Sequence, residues 1–144
     1  MRSSQVPLSK HMARIDFLGT GNAFMPPGRM HALTLVDGCV LVDTPPTVLA
    51  QLRRYGSSPS DLRHILITHW HADHIFGFPF LLLERKYISD PEFKSTLNVH
   101  LRPEGKKLLS SLCNTGFPGS LEEFLDKRVL WSESETGNLE DTDW

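Results

Sequence analysis

Long apolar runs are missing from this sequence of 144 residues. Its apolar stretches stop well short of the roughly 18 residues that a membrane-spanning helix needs, and no apolar segment typical of a signal peptide follows the first methionine. Cysteine is scarce as well, because Cys39 and Cys113 are the two present and their spacing matches no zinc or redox motif. We therefore expect no membrane association and a reducing, cytoplasmic setting.

An excess of positive charge is also absent. Lys and Arg number 15 against 17 Asp and Glu, which gives a formal net charge of −2. A balanced chain of this kind offers no global positive field for nucleic acid, so its composition weakens an RNA-processing function without excluding it. The length suits at most one domain with a modest core.

Side chains that carry chemistry are concentrated in one short segment. Residues 68–74 read Thr-His-Trp-His-Ala-Asp-His, directly after the apolar run 65–67. Six positions at the end of a predicted buried strand thus contain four potential metal ligands: His69, His71, Asp73 and His74. A loop can direct the first two to one side and the last two to another, which predicts two adjacent metal ions. Imidazole and carboxylate ligands suit Zn²⁺ best, with Mn or Fe as alternatives. A histidine-rich surface loop is the competing interpretation.

Strand and helix patterns alternate along the chain. Asp37-Gly38 separates the apolar runs 33–36 and 39–42, which predicts a hairpin with Cys39 inside its second strand. Thr44 is expected to cap a helix that ends at Gly56. Further strands are predicted at 14–18, 65–67, 97–101 and 129–131, and further helices at 78–88, after Pro103 and after a capping box of Ser120 with Glu123. These elements predict an α/β fold, one mixed sheet with covering helices.

The metal-ligand segment resembles the His-x-His-x-Asp-His signature of the metallo-β-lactamase superfamily. Residues 17–23, Phe-Leu-Gly-Thr-Gly-Asn-Ala, resemble the glycine-rich turn of its ribonuclease Z-like and phosphodiesterase branch. Residues 40–44 resemble its second element, a strand that ends in Asp, and residues 75–82 resemble the helix that follows the metal loop. The resemblance covers roughly residues 13–131.

This resemblance implies a fold and an activity. The fold is the N-terminal half of an αβ/βα sandwich, because a third His, a bridging Asp and a last His lie further along in the family. The implied protein is a hydrolase whose two divalent ions, Zn²⁺ first, share a hydroxide that cleaves an ester-type bond, most plausibly a phosphodiester or RNA. His69 and His71 would bind one ion and Asp73 with His74 the other. The resemblance also implies that Asp73 orients the attacking water as the catalytic residue.

Two different interpretations remain open beside this one. The chain could be a non-catalytic or split half-domain that needs a partner, or a segment of a longer catalytic protein. Either implies a homo-oligomer or a missing C-terminal half, because half the fold would expose an apolar sheet face. We accordingly expect a leader at residues 1–12, a metallo-β-lactamase-like part at 13–131 and an acidic tail, or the start of the second half, at 132–144. Such a tail is expected to be unfolded in isolation.

Residues outside the metal-ligand segment are weaker candidates. Asp43 is expected either to hold a ligand histidine in its tautomer or to cap a helix beside Thr44. His31 and Arg29 lie in a Pro-rich loop that the resemblance places near the substrate entrance. Gly77 is predicted to permit a close backbone approach. The remaining two histidines after the hairpin, His64 and His100, are expected at the surface.

Overall fold

Six strands and four α-helices of the described residues follow the order predicted from the sequence, and a short fifth α-helix at residues 72–75 was not predicted. We analysed a computed structural model, which describes residues 12–142 and residue 144, so the predicted leader lies outside the described residues apart from Met12. The strands are β1 Ile15–Gly19, β2 Leu33–Val36, β3 Val40–Val42, β4 His64–Leu66, β5 Leu97–Leu101 and β6 Val129–Glu133. The helices are α1 Val48–Tyr55, α2 Ala72–Ile75, α3 Phe78–Glu84, α4 Gly105–Gly116 and α5 Glu122–Lys127.

All six strands form one mixed sheet in the order β1-β2-β3-β4-β5-β6. Strand β2 is antiparallel to both of its neighbours, β1 and β3, whereas β3, β4, β5 and β6 run parallel to one another. Consequently β1 and β3 to β6 all point the same way, and their carboxyl ends meet at one edge of the sheet. The predicted α/β class with a mixed sheet and covering helices is confirmed.

One face of the sheet carries the hydrophobic core. Leu35, Leu41, Ile65 and Val99 alternate with the residues of the other face and are fully buried against the helices. Phe78 and Phe124 fill the space between sheet and helices. The opposite face, which we call the open face, includes Ile15 and Phe17, which are 53% and 71% exposed.

The hairpin between β2 and β3 differs from its prediction in one residue. Asp37 and Gly38 have positive φ angles of 50° and 71°, as the Asp-Gly signal requires. The strands pair as Val36 with Val40, so the loop contains three residues and Cys39 lies in the turn. The half-buried Cys39 accepts a hydrogen bond from Arg63 at its Sγ, at 3.2 Å.

The starts of two helices differ from the predictions. The N-cap of α1 is Thr47 rather than Thr44, and no side chain caps it. The backbone N–H of Thr44 instead donates to the carbonyl of His74. Glu122, not the pair Ser120 and Glu123, accepts the backbone N–H groups that precede α5.

The tail also departs from its expected behaviour. Strand β6 continues to Glu133, two residues beyond the predicted boundary at 131. The following residues cross the open face, where the carbonyl of Glu140 lies 2.9 Å from Nε2 of His64 and the indole of Trp144 donates to Asp37. In the whole chain the tail thus packs on the open face, and its behaviour in isolation stays a prediction.

Within residues 12–142 and 144, no helix is both long and apolar enough to cross a membrane.

Candidate metal centre

The segment 68–74 begins where β4 ends, at the sheet edge where the parallel strands terminate. Ile65 and Ile67 are buried on either side of Leu66, the last residue of β4, and the chain then leaves the sheet as a loop. His71 takes extended backbone angles and serves as the N-cap of α2, a helix of four residues that contains Asp73 and His74. Strand end and helix start thus hold the two halves of the segment in a fixed relation.

The structure brings all four predicted ligands together. The ring centroid of His69 lies 4.6 Å from that of His71 and 4.0 Å from that of His74. Oδ2 of Asp73 lies 3.2 Å from Nε2 of His74. Three imidazoles and one carboxylate therefore form a single cluster, which we call the histidine cluster. His71 is exposed, whereas the other three are half-buried.

Asp43 organises this cluster from the end of β3. Its Oδ1 accepts the backbone N–H of Thr68 at 2.8 Å, and its Oδ2 accepts the Thr68 hydroxyl at 2.7 Å. The same Oδ2 lies 2.7 Å from Nδ1 of His74. Asp43 is 5% exposed and adopts a positive φ of 68°, a conformation that Asp tolerates better than most residues. Its carboxylate contacts the histidine cluster, so the alternative role of capping a helix beside Thr44 is wrong.

These contacts define the tautomers of two histidines. An ionised carboxylate only accepts hydrogen bonds, so Nδ1 of His74 must carry the proton and donate to Asp43. The Thr68 hydroxyl donates its one hydrogen bond to Asp43. It can therefore only accept a hydrogen bond from Nδ1 of His69, which lies 2.9 Å away. In its neutral form each ring would then carry the lone pair on Nε2, the form that binds a metal.

Thr68 is therefore the residue that sequence reasoning undervalued. Its hydroxyl links Asp43 to His69. A signal existed in its position directly before the first histidine, where a hydroxyl can reach the neighbouring ring. The partner, however, is 25 positions away in sequence and comes from another strand.

The donor set fits a divalent metal ion, although the cluster is not closed around one. Two ligands each about 2.1 Å from one Zn²⁺ at a tetrahedral angle lie about 3.4 Å apart. The 3.2 Å between His74 Nε2 and Asp73 Oδ2 is close to that separation. No three His, Cys, Asp or Glu side chains of the described residues are arranged to enclose an ion by themselves. The residues present fit part of a metal site.

Gly77 fixes the distance between the cluster and α1. A Cβ atom at this position would lie 1.9 Å from the carbonyl oxygen of Pro45. The backbone N–H of Gly77 donates to the carbonyl of Thr44 at 2.9 Å, next to Asp43 in sequence. The predicted close backbone approach is confirmed.

The two substrate-loop candidates differ in exposure. His31 is half-buried, with Nδ1 3.5 Å from the Thr47 hydroxyl and Nε2 3.4 Å from the carbonyl of Ala23. Arg29 is exposed. The ring of His31 thus stabilises its own loop, while the guanidinium of Arg29 faces solvent.

His64 and His100 do not lie at the surface, contrary to expectation. They pack on the open face with Nδ1 of His64 3.0 Å from Nε2 of His100, and His64 is 1% exposed. Burial and the neighbouring His64 lower the pKa of His100. The alternating pattern identified the correct face, but the tail that covers it was expected to be unfolded.

This fold and this cluster define a class. A mixed sheet that delivers a His-x-His-x-Asp-His loop at its carboxyl edge is the metallo-β-lactamase fold. Among solved structures, the short form of human tRNase Z superposes with a TM-score of 0.66 at 22% identity, covering 85% of this chain and 44% of that one. A diphosphatase of the PhnP family superposes with a TM-score of 0.60 at 22% identity, covering 85% of this chain and 51% of that one.

A match to a protein family defines the chain more narrowly than the fold does. Residues 13–135 match the family described as Anti-Pycsar protein Apyc1, and the chain belongs to that family. It is also 29% identical over 136 residues to ribonuclease Z of Pyrococcus abyssi, an alignment that covers 84% of this chain and 43% of that protein. The chain thus spans less than half the length of this relative.

Proposed function

We propose that this chain supplies the N-terminal half of a metal-dependent hydrolase that cleaves phosphodiester bonds. The observation that carries the proposal is the position of Asp43, whose Oδ2 accepts the Thr68 hydroxyl and lies 2.7 Å from Nδ1 of His74, while Asp73 lies beside the same ring. Similarity to ribonuclease Z and to the PhnP-family diphosphatase supports a phosphorus ester as substrate.

Some residues of the chain are proposed to hold the metal ions, and others to orient water or a ligand. We assign His69 and His71 to one divalent ion and Asp73 with His74 to a second, Zn²⁺ first and Mn or Fe as alternatives. When bound, such ions act as Lewis acids that polarise the scissile phosphoryl oxygen and activate water. Asp73 is the proposed catalytic residue, because its carboxylate beside His74 can orient that water. Asp43 positions His74 without touching substrate.

Metal binding tests the first part of this proposal. We expect the purified chain, stripped with chelator and dialysed against Zn²⁺, to retain the metal, and His69→Ala and His74→Ala to lose it. A third cluster variant is Asp73→Asn. Its matched control is Asp126→Asn, because Asp126 is an exposed side chain on α5. Equal metal content in the wild type and all cluster variants would contradict a metal site here.

Hydrolysis tests the second part. The probe is bis(p-nitrophenyl) phosphate, a phosphodiester with a coloured product, assayed against p-nitrophenyl acetate as a carboxylic ester. In the protein completed by its remaining metal ligands, we expect turnover of the phosphodiester alone, lost in Asp73→Asn and retained in Asp126→Asn. Turnover of the acetate alone would replace the phosphodiester by a carboxylic ester in the proposal.

A second candidate function is a half-domain that acts when its open face is covered. The exposure of Ile15 and Phe17 on β1 and of Leu130 on β6, which is 54%, favours it. The tail crosses the strands between them and leaves both margins of the sheet open. Either a second copy of the chain or further polypeptide would cover these margins and supply the remaining metal ligands.

Sedimentation distinguishes these states. A concentration-dependent dimer that binds metal would support completion by a second copy. A monomer that binds metal weakly and turns over no phosphodiester would support completion by further polypeptide. A stable monomer with two tightly bound ions and full hydrolysis would show that no covering partner is needed.

A further inference from the structure

Trp70 stands between His69 and His71 in the chain, yet its side chain packs away from them. Residues 67–71 form no helix or strand, and His71 has extended backbone angles, with φ −66° and ψ 146°. Successive side chains of an extended chain point to opposite sides. The two imidazole rings accordingly meet at a centroid distance of 4.6 Å, whereas the half-buried indole packs against the hydrophobic core.

The indole reaches the start of α4 at a position that has no side chain. A Cβ atom on Gly105 would lie 2.5 Å from Cη2 of Trp70, and it would also overlap the side chain of Leu101. Gly105 is buried and its φ angle is not positive, so the backbone there does not require glycine. Glycine at this position instead leaves room for the two side chains. We call the surface formed by Leu101 and Gly105 the indole seat.

The loop that carries the ligands is thus attached to the fold on two sides. On one side Asp43, after β3, accepts the backbone N–H of Thr68 and contacts His74. On the other side the indole of Trp70 rests in the indole seat, which joins the end of β5 to the start of α4. The two attachments come from different strands and act on different residues of the loop.

His71 depends on the second attachment. Among the residues that the structure describes, none forms a hydrogen bond with its side chain, which is exposed and contacts the ring of His69. The position of this ring therefore follows from its backbone. That backbone is fixed by Trp70 on one side and by the start of α2 on the other, where the N–H of His74 donates to the carbonyl of His71 at 2.9 Å.

From these contacts we infer that Trp70 is a positioning residue, whose indole in the indole seat holds His71 beside His69 so that both imidazoles can bind one metal ion. The inference rests on the proposed function, which assigns one ion to this pair. An indole has no torsion within its rings, so a displacement of its outer edge moves the backbone between the two ligands. Ligands have to be held to within about 0.5 Å of their binding geometry.

A double-mutant cycle on the full chain tests the inference, with zinc affinity measured by competition with a chromophoric chelator. Gly105→Ala should lower the affinity at least about threefold, because the added methyl group displaces the indole. In a Trp70→Phe background the same methyl group should cause no further loss, since phenylalanine lacks the displaced atom. Urea denaturation of each variant shows separately how much stability the change at Gly105 costs.

Matched controls keep this effect apart from general damage to the fold. Gly116→Ala, at the other end of α4, adds a methyl group with no atom within 4 Å and should leave zinc affinity unchanged. Trp131→Phe removes another indole that packs against the core and should also leave it unchanged. If Gly105→Ala lowers stability but not zinc affinity, or lowers the affinity equally in both backgrounds, Trp70 only fills space. Loss of zinc in His74→Ala would keep the proposed function in that case.

A measurement without metal decides the inference independently of zinc binding. Nuclear Overhauser signals between the ring protons of His69 and His71 should be present in the metal-free wild type and in Gly116→Ala, and lost in Gly105→Ala. Retention of these signals in Gly105→Ala would overturn the inference. If the wild type binds no zinc, the proposed function fails, and these signals alone then show whether Trp70 positions His71.

Discussion

Oδ2 of Asp43 lies 2.7 Å from Nδ1 of His74, although 31 positions separate the two residues in sequence. The contact exists because β3 and β4 are parallel neighbours, which brings the residue after one strand beside the loop after the other. Strand pairing therefore places a carboxylate behind the imidazole that we propose as a metal ligand. The predictions below test what such placement contributes.

Asp43→Asn should weaken metal binding without unfolding the chain. An amide keeps one accepting oxygen but replaces the other by an NH₂ group, which cannot accept from both Thr68 and His74. Losing the partner that orients a ligand histidine typically costs about 10- to 100-fold in metal affinity. Competition with a chromophoric zinc chelator measures the change, and Asp126→Asn is the control. An affinity equal to that of the wild type would show that Asp43 does not position the ligand.

Thr68→Val should affect His69 and spare His74. Valine matches threonine in shape but removes the hydroxyl that lies between Asp43 and His69. The ring of His69 then loses the acceptor that fixes its tautomer, and we expect weaker zinc binding. Thr68→Ser restores the hydroxyl and should recover the wild-type affinity. If valine and serine variants bind zinc alike, the hydroxyl has no part in the site.

These same residues show which features of the site could be predicted from the sequence. The histidine cluster was predictable because its four side chains lie close together in the chain and follow an apolar strand, so local pattern suffices. Both roles of Asp43 were equally plausible, since strand order decides between them and a single sequence does not encode that order locally.

The burial of Arg85 and Arg128 is a feature that the residue types themselves argue against. Both are buried, at 1% and 2% exposure, against the strong tendency of arginine to stay at the surface. Arg128 pairs with Asp90 at 2.6 Å, a partner 38 positions away.

Stability should fall as the pH is lowered from 7.5 towards 5.5, and His100 should contribute to the fall. Its pKa is lowered by burial and by His64, while the carboxylate of Glu140 opposes this. Unfolded histidine titrates near pH 6.5. Between that value and the lower pKa of the folded state, the unfolded chain binds more protons, so the free energy of unfolding decreases with falling pH. Urea denaturation at several pH values measures the slope.

The variant that isolates this contribution is His100→Gln. Glutamine keeps a hydrogen-bonding group near His64 but has no proton to gain in this range, so its slope should be shallower than that of the wild type. An unchanged slope would assign the acid sensitivity to other groups. All titrations are made with chelator present, so that proton competition at the metal ligands does not contribute.

Gly77→Ala should disturb the site through the backbone. The added methyl group would meet the carbonyl oxygen of Pro45 at 1.9 Å and Val48 at 2.8 Å, and neither the carbonyl nor the packed helix start can yield without moving. Overpacking of this kind typically destabilises by about 1–3 kcal/mol. Because Pro45 follows Asp43 and Thr44, the displacement should also lower zinc affinity. Gly116→Ala is the matched control: no atom lies within 4 Å of its added Cβ at the end of α4, so we expect no loss of stability. Thermal denaturation of both variants, with and without zinc, measures the two effects. If Gly77→Ala is as stable as Gly116→Ala and binds zinc as the wild type does, then the contact between the metal loop and α1 does not set the geometry of the histidine cluster.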